Sequence, residues 1–212
     1  MKKKALGVLV LTGAFLGQAL AAGGPVSAAE PPVLTTTVIR GEGMFSDFER
    51  RDGCIHTLVS VFSNINVTKG STLSDTVAFV GISQANTCAL TTTIDGFGQP
   101  SDFVQVVKPG LTGGTLKFSV DFNNFAQGTV VPVTVDLSFA ATAKATTTHA
   151  NSILVEDGLR LLSWAGTKSR LGQATGTVTF GEELVVAPDK PSVGASIDSS
   201  VNQDKTIAQP TR

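Results

Sequence analysis

The chain has 212 residues, 42% hydrophobic, 16% charged and 6% aromatic, with 16 Lys+Arg against 17 Asp+Glu. The aliphatic content is too high for a disordered polymer, so a folded domain with a substantial core is expected. No basic excess is left for nucleic acid, and two His and two Cys leave little room for a rich metal site.

The first element is a leader. Lys2, Lys3 and Lys4 precede an apolar run from Ala5 to about Ala22, then Gly23-Gly24-Pro25 and the small-residue site Val26-Ser27-Ala28. That is the secretory pattern, so residues 1–28 are expected to be a cleaved signal peptide. A membrane anchor would want roughly 20 unbroken apolar residues, whereas Gly7, Gly13 and Gly17 interrupt this run. Cleavage removes three Lys and no acid, taking the formal charge from −1 to −4. The mature protein is expected outside the cytoplasm, secreted or at the cell surface. Its mild acidity argues against nucleic acid and anionic lipid as partners.

Export gives the cysteines a compartment. Cys54 and Cys88 are the only pair, and a disulfide between them is expected; free thiols serving as ligands or a nucleophile are the rival reading.

From residue 33 onward apolar and polar residues alternate with period two, the mark of strands with one buried face. Candidate strands cover 33–39, 54–67, 76–83, 88–94 and 102–108. The clearest alternation follows: Leu116, Phe118, Val120 and Phe122 point one way, Lys117, Ser119 and Asp121 the other. Next come Val131, Val133, Val135, Leu137 and Phe139, facing inward, with Pro132 at an edge or strand start. The polar stretch 123–128 between them predicts a hairpin. Segments 152–156, 159–165 and 174–180 complete the series. Only Ser46-Asp47-Phe48-Glu49 has a helical signature, resembling a capping box, and it permits a single turn at most. The expected fold is all-β: an antiparallel β-sandwich of about ten strands over residues 29–187. Residues 188–212 form a polar tail, loosely ordered or adding a weak helix or one strand.

Comparison of the chain with itself gives a partial internal duplication. Leu34-Thr35-Thr36-Thr37-Val38, Gly41-Glu42-Gly43 and Ser46-Asp47-Phe48 match Leu90-Thr91-Thr92-Thr93-Ile94, Gly96-Phe97-Gly98 and Ser101-Asp102-Phe103. Each copy reads as a strand, a glycine turn, a Ser-Asp bonding nearby amides, and a Phe entering the core. Asp47 and Asp102 are the candidate binding residues. The cation suited to them is Ca²⁺, although two carboxylates alone are too few for a calcium cage. No other cofactor or metal is expected.

For catalysis, only His56 and His149 could serve as base in a triad, and no Gly-x-Ser-x-Gly elbow occurs. His56 is expected to flank the disulfide, and His149 to be an isolated surface residue. Trp164 is the one aromatic that could act as a sugar platform, but its apolar neighbours Leu161 and Leu162 favour a place in the core. Asn66-Val67-Thr68 matches the N-glycosylation pattern, and Thr175, Thr177 and Thr179 form one short Thr array. No catalytic residue is assigned. The expectation is an exported, non-enzymatic binding, adhesion or surface-structural protein with an extracellular protein or glycan partner. The alternative is a small secreted hydrolase, or an inhibitor of one, using loop carboxylates or a His.

Overall fold

Period-two alternation becomes strand almost throughout. The computed structural model describes residues 33–70, 74–156 and 158–208, so the expected leader at 1–28 lies outside the described residues. The strands are β1 (Val33–Asp52), β2 (Ile55–Thr68), β3 (Ser74–Asn86), β4 (Thr91–Gly98), β5 (Val104–Val107) and β6 (Gly113–Asn124). A single 3-10 turn, Pro109–Leu111, precedes β6. There follow β7 (Thr129–Ala141), β8 (Thr146–Glu156), β9 (Leu159–Phe180), β10 (Glu183–Val186) and β11 (Gly194–Ala208).

The expected sandwich of two separate sheets is corrected to one eleven-stranded sheet. Its pairings run β1–β2–β3–β4–β6–β7–β9–β11 and return to β1, closing a ring of antiparallel strands. The physical reason is β9, a strand of 22 residues. Its first part pairs with β11 over 159–172 and its last part with β7 over 172–180, joining what would otherwise be two sheets. A ring leaves few unpaired edges.

Inside the ring lie the inward-facing series read from the sequence. Leu116 and Phe122 on β6 and Val133, Val135 and Leu137 on β7 are fully buried. The β6–β7 hairpin forms as expected, with Asn124 opposite Thr129. Met44 and Phe48 on β1, Val59 and Val61 on β2, Val80 and Ile82 on β3, Val178 on β9 and Ile197 on β11 complete the wall. Each such side chain contributes about 1.5–3 kcal/mol by leaving water.

Two local expectations change. Ser46-Asp47-Phe48-Glu49 makes no helical turn. It lies in β1, paired to β2 on one side and, through Asp47, to β11 on the other, with Ser46 and Phe48 buried. Two ladders and an inward Phe outweigh a local cap. The glycine turns are also absent: Gly41 and Gly43 lie within β1, and Gly96 and Gly98 within β4. At Gly41 a side chain would collide with Asn66 Oδ1 and Ser200 Oγ, so close approach rather than turning explains this glycine. The matched segments therefore fold differently, one within a single long strand and the other running out of β4 into a loop. Of the readings left open for the polar tail, the added strand is the one that forms, as β11 between β1 and β9.

The disulfide joins Cys54, in the β1–β2 turn, to Cys88, in the β3–β4 turn, with Cα atoms 5.4 Å apart. Thr87 N and Oγ1 both donate to the Cys54 carbonyl, at 2.8 and 2.9 Å. Two neighbouring turns are stapled at one end of the ring. At the other end the sheet runs past the core as an extension of strand order β1–β11–β9–β8. All eleven residues of β8 are exposed in this extension.

Candidate binding surface

Strand parity carries the ring's inward face onto this extension. In the ring, Met44, Ile197 and Arg170 share one register row. From there, neither the β1–β11 ladder as far as Thr35 nor the β11–β9 and β9–β8 ladders has a register shift. Every second residue therefore continues the same face. On β9 these are Arg170, Lys168, Gly166, Trp164, Leu162 and Arg160. Beside them stand His149 and Asn151 on β8, Val201, Gln203 and Lys205 on β11, and Val38, Arg40 and Glu42 on β1.

At its centre is a stacked pair. Trp164 and His149 have ring centroids 5.6 Å apart and planes inclined by 28°. Gly166 makes the arrangement possible. A Cβ at that position would sit 2.6 Å from Trp164 Cη2 and 3.2 Å from His149 Nδ1. Trp164 is 37% exposed, which corrects the expectation that it belongs to the core. Its apolar neighbour Leu161 faces the opposite side of β9, and among the described residues no second sheet layer packs over the extension to bury the indole.

Charge is segregated between the two faces. Arg40, Arg160, Lys168, Arg170 and Lys205 share the Trp164 face with a single acid, Glu42. Among the described residues none of these five cations makes an ion pair; the pairs formed are Arg50–Asp52, Arg51–Glu49, His56–Glu49, Lys117–Asp136 and Lys190–Asp189. Asp198, Asp204 and Glu156 fall on the opposite face, in register with Ser169, Ser163 and Leu159. An acidic chain thus presents a basic face.

Where this face meets the ring, buried polar atoms stand without partners among the described residues: Arg170 Nε, Ser63 Oγ, Ser46 Oγ and Gln105 Oε1. Ser63 shares the register row of Met44 and Arg170, and Gln105 Nε2 donates to the Glu42 carbonyl at 2.9 Å. Buried polar groups normally find partners, and these four have none among the described residues.

Asp47 and Asp102, the candidate binding residues read from the sequence, lie elsewhere, as does His56. Asp47 is on the outward face of β1, where Ser60 Oγ donates to its Oδ1 at 2.6 Å. Asp102 is exposed in the β4–β5 connection, and β2 and β3 stand between β1 and β4. No group of three or more His, Cys, Asp or Glu suited to a metal occurs among the described residues. His56 lies 3.0 Å from Glu49 Oε1, which also accepts from Arg51 Nε at 2.8 Å. These two hydrogen bonds, Arg51's foremost, hold the Glu49 carboxyl below its ordinary range. His56 thus has an acid beside it, while the nearby Cys54 is locked in the disulfide. Thr175, Thr177 and Thr179 face Ser138, Asp136 and Thr134 across the β7–β9 ladder.

An expected strand of 159–165 leaves Lys168 and Arg170 outside it, although β9 runs on through both to Phe180. Continuing the period-two pattern from Arg160 puts Lys168 and Arg170 on the face of Trp164, whereas Arg40 and Lys205 reach it only through the β1–β11 and β11–β9 ladders.

No helix among the described residues is long and apolar enough to cross a membrane. No family model matches the chain, and no curated protein does. Among solved structures the chain is similar to the enduracididine biosynthesis enzyme MppR, in complex with the condensation product of pyruvate and imidazole 4-carboxaldehyde. The identity is 11%, covering 92% of this chain and 100% of that chain, with a TM-score of 0.29. A likeness of that degree assigns neither fold nor function.

Proposed function

We propose that the chain is an exported, non-enzymatic binding protein whose recognition surface is the Trp164 face of the β1–β11–β9–β8 extension. The observation that carries this reading is the stacked Trp164–His149 pair on an uncovered sheet face. An exposed aromatic held in one orientation offers a large, rigid contact area at low cost in side-chain entropy. The strand scaffold holds the neighbouring polar groups in fixed register. Export is supported by the leader pattern at 1–28 and by the Cys54–Cys88 disulfide.

The test is a titration of the mature chain, from Ala29, with panels of soluble glycans and peptides, read through Trp164 emission. Breakdown of each ligand is followed in parallel. A saturable emission change without ligand consumption, abolished in Trp164→Ala, is expected. Binding that survives Trp164→Ala overturns the assignment to this face. Catalytic consumption of the ligand overturns the non-enzymatic reading in favour of a hydrolase.

A further inference from the structure

We propose that the ligand of this face is an acidic polysaccharide, its sugar rings lying on Trp164 and its carboxylate or sulfate groups meeting Lys168, Arg170, Lys205 and Arg40. This rests on the binding reading above and gives it a ligand class.

Charge complementarity selects the occupant. Four cations share the face of the indole, Lys205 one register step from it and Lys168 and Arg170 further along β9, and none forms an ion pair among the described residues. Lys168 and Arg170 are two residues apart on β9, so their Cα atoms stand about 6.7 Å apart along the strand. Arg40 lies in the register row of Gly166, and Lys205 in that of Leu162, one step beyond Trp164. The cations therefore lie before and beyond the aromatic pair along the strands, as a chain carrying a charge on successive rings requires. Arginine and lysine bind carboxylate and sulfate through charge-assisted hydrogen bonds. The indole face, negative at its centre, suits the polarised C–H groups of a sugar ring.

A nucleic acid fits less well. Sequence-independent strand binding uses successive aromatics to stack successive bases, and here a single pair stands beside the aliphatic Leu162 and Val201.

The probes are polygalacturonate, neutral dextran of matched length and oligothymidylate, titrated against the mature chain at low and high sodium chloride. Polygalacturonate is expected to bind with the highest affinity and to weaken as salt rises. The double variant Lys168→Gln/Lys205→Gln should lose about tenfold in affinity or more, the loss of one or more charge-assisted contacts. Lys117→Gln, which removes a cation on β6 already paired with Asp136, should bind as wild type. Thermal melting of each variant verifies its fold. Equal binding of dextran, still abolished by Trp164→Ala, overturns the acidic-ligand proposal and leaves the binding face standing. Preference for oligothymidylate overturns it in favour of a nucleic-acid site. Polygalacturonate binding that ignores both Trp164→Ala and the lysine variant overturns the proposal and the face together.

Discussion

Gly96 on β4 lies so close to Asn123 on β6 that a Cβ at residue 96 would collide with the Asn123 carbonyl oxygen. This contact is where the ring closes. The β4–β6 ladder consists of only two register pairs, Gly96 with Asn124 and Phe97 with Asn123. Asn124, buried beside it, uses Oδ1 to accept from Asp95 N at 3.1 Å and Nδ2 to donate to the Thr93 carbonyl at 3.3 Å. Gly96→Ala should therefore cost about 1–3 kcal/mol, as overpacking a tight contact does. Gly194→Ala, with open space around its site, should cost less. Urea denaturation of the two variants makes the comparison, and equal stabilities would show that the seam does not need its glycine.

The Cys54–Cys88 bridge closes a loop with a sequence separation of 34. By the chain-entropy estimate it contributes about 3–4 kcal/mol. Cys54→Ser/Cys88→Ser should lower the melting temperature accordingly, and thiol counting of the denatured, non-reduced wild type should find no free thiol. Two free thiols would remove the bridge and its stabilisation together.

Glu49 provides a pH signature. With its folded pKa lowered below the ordinary 4.5 by Arg51 first and His56 second, its contribution is present above the ordinary value. It is lost as pH falls through the folded value. The difference in melting temperature between wild type and Glu49→Gln should thus be present at neutral pH and vanish in acid, its midpoint below 4.5. The group is exposed, so the difference is small. A gap unchanged by acid would assign it to packing instead of charge.

The placement of Asp47 and Asp102 leads to an expectation about calcium. Asp47 is already engaged by Ser60, and Asp102 follows β4, which β2 and β3 separate from β1. Millimolar Ca²⁺ should leave the melting temperature unchanged. A rise of several degrees would restore the two carboxylates as ligands.

The strands that could be read from sequence are those whose inward face is continuously apolar. Leu116 to Phe122 and Val131 to Phe139 turn an alternating apolar series to the ring interior, buried but for the half-buried Val120 and Val131, so period two identifies them and the turn between. The extension defeats that approach because its inward face is not a core. In β9 the alternate positions after Trp164 are Gly166, Lys168 and Arg170, which read as an interruption even though the backbone continues as strand. In β11 Ala195 and Ile197 are the buried apolar side chains, while the remaining length is held by ladders on both sides. Ladder hydrogen bonds leave no trace in hydrophobic periodicity. The same blindness hid the candidate site, since Trp164 was judged by the neighbouring Leu161 and Leu162 and not by the face it shares with Lys168.

The central claim, that Trp164 stands uncovered among cations, can be measured directly because it is the only Trp in a chain without Tyr. Its fluorescence should be red-shifted, as for an indole facing water, and quenched by iodide more strongly than by caesium, because the Lys and Arg on its face attract the anion. His149→Ala should alter the emission by removing the stacked ring. Blue-shifted emission that iodide cannot quench would place Trp164 inside a core and contradict the account.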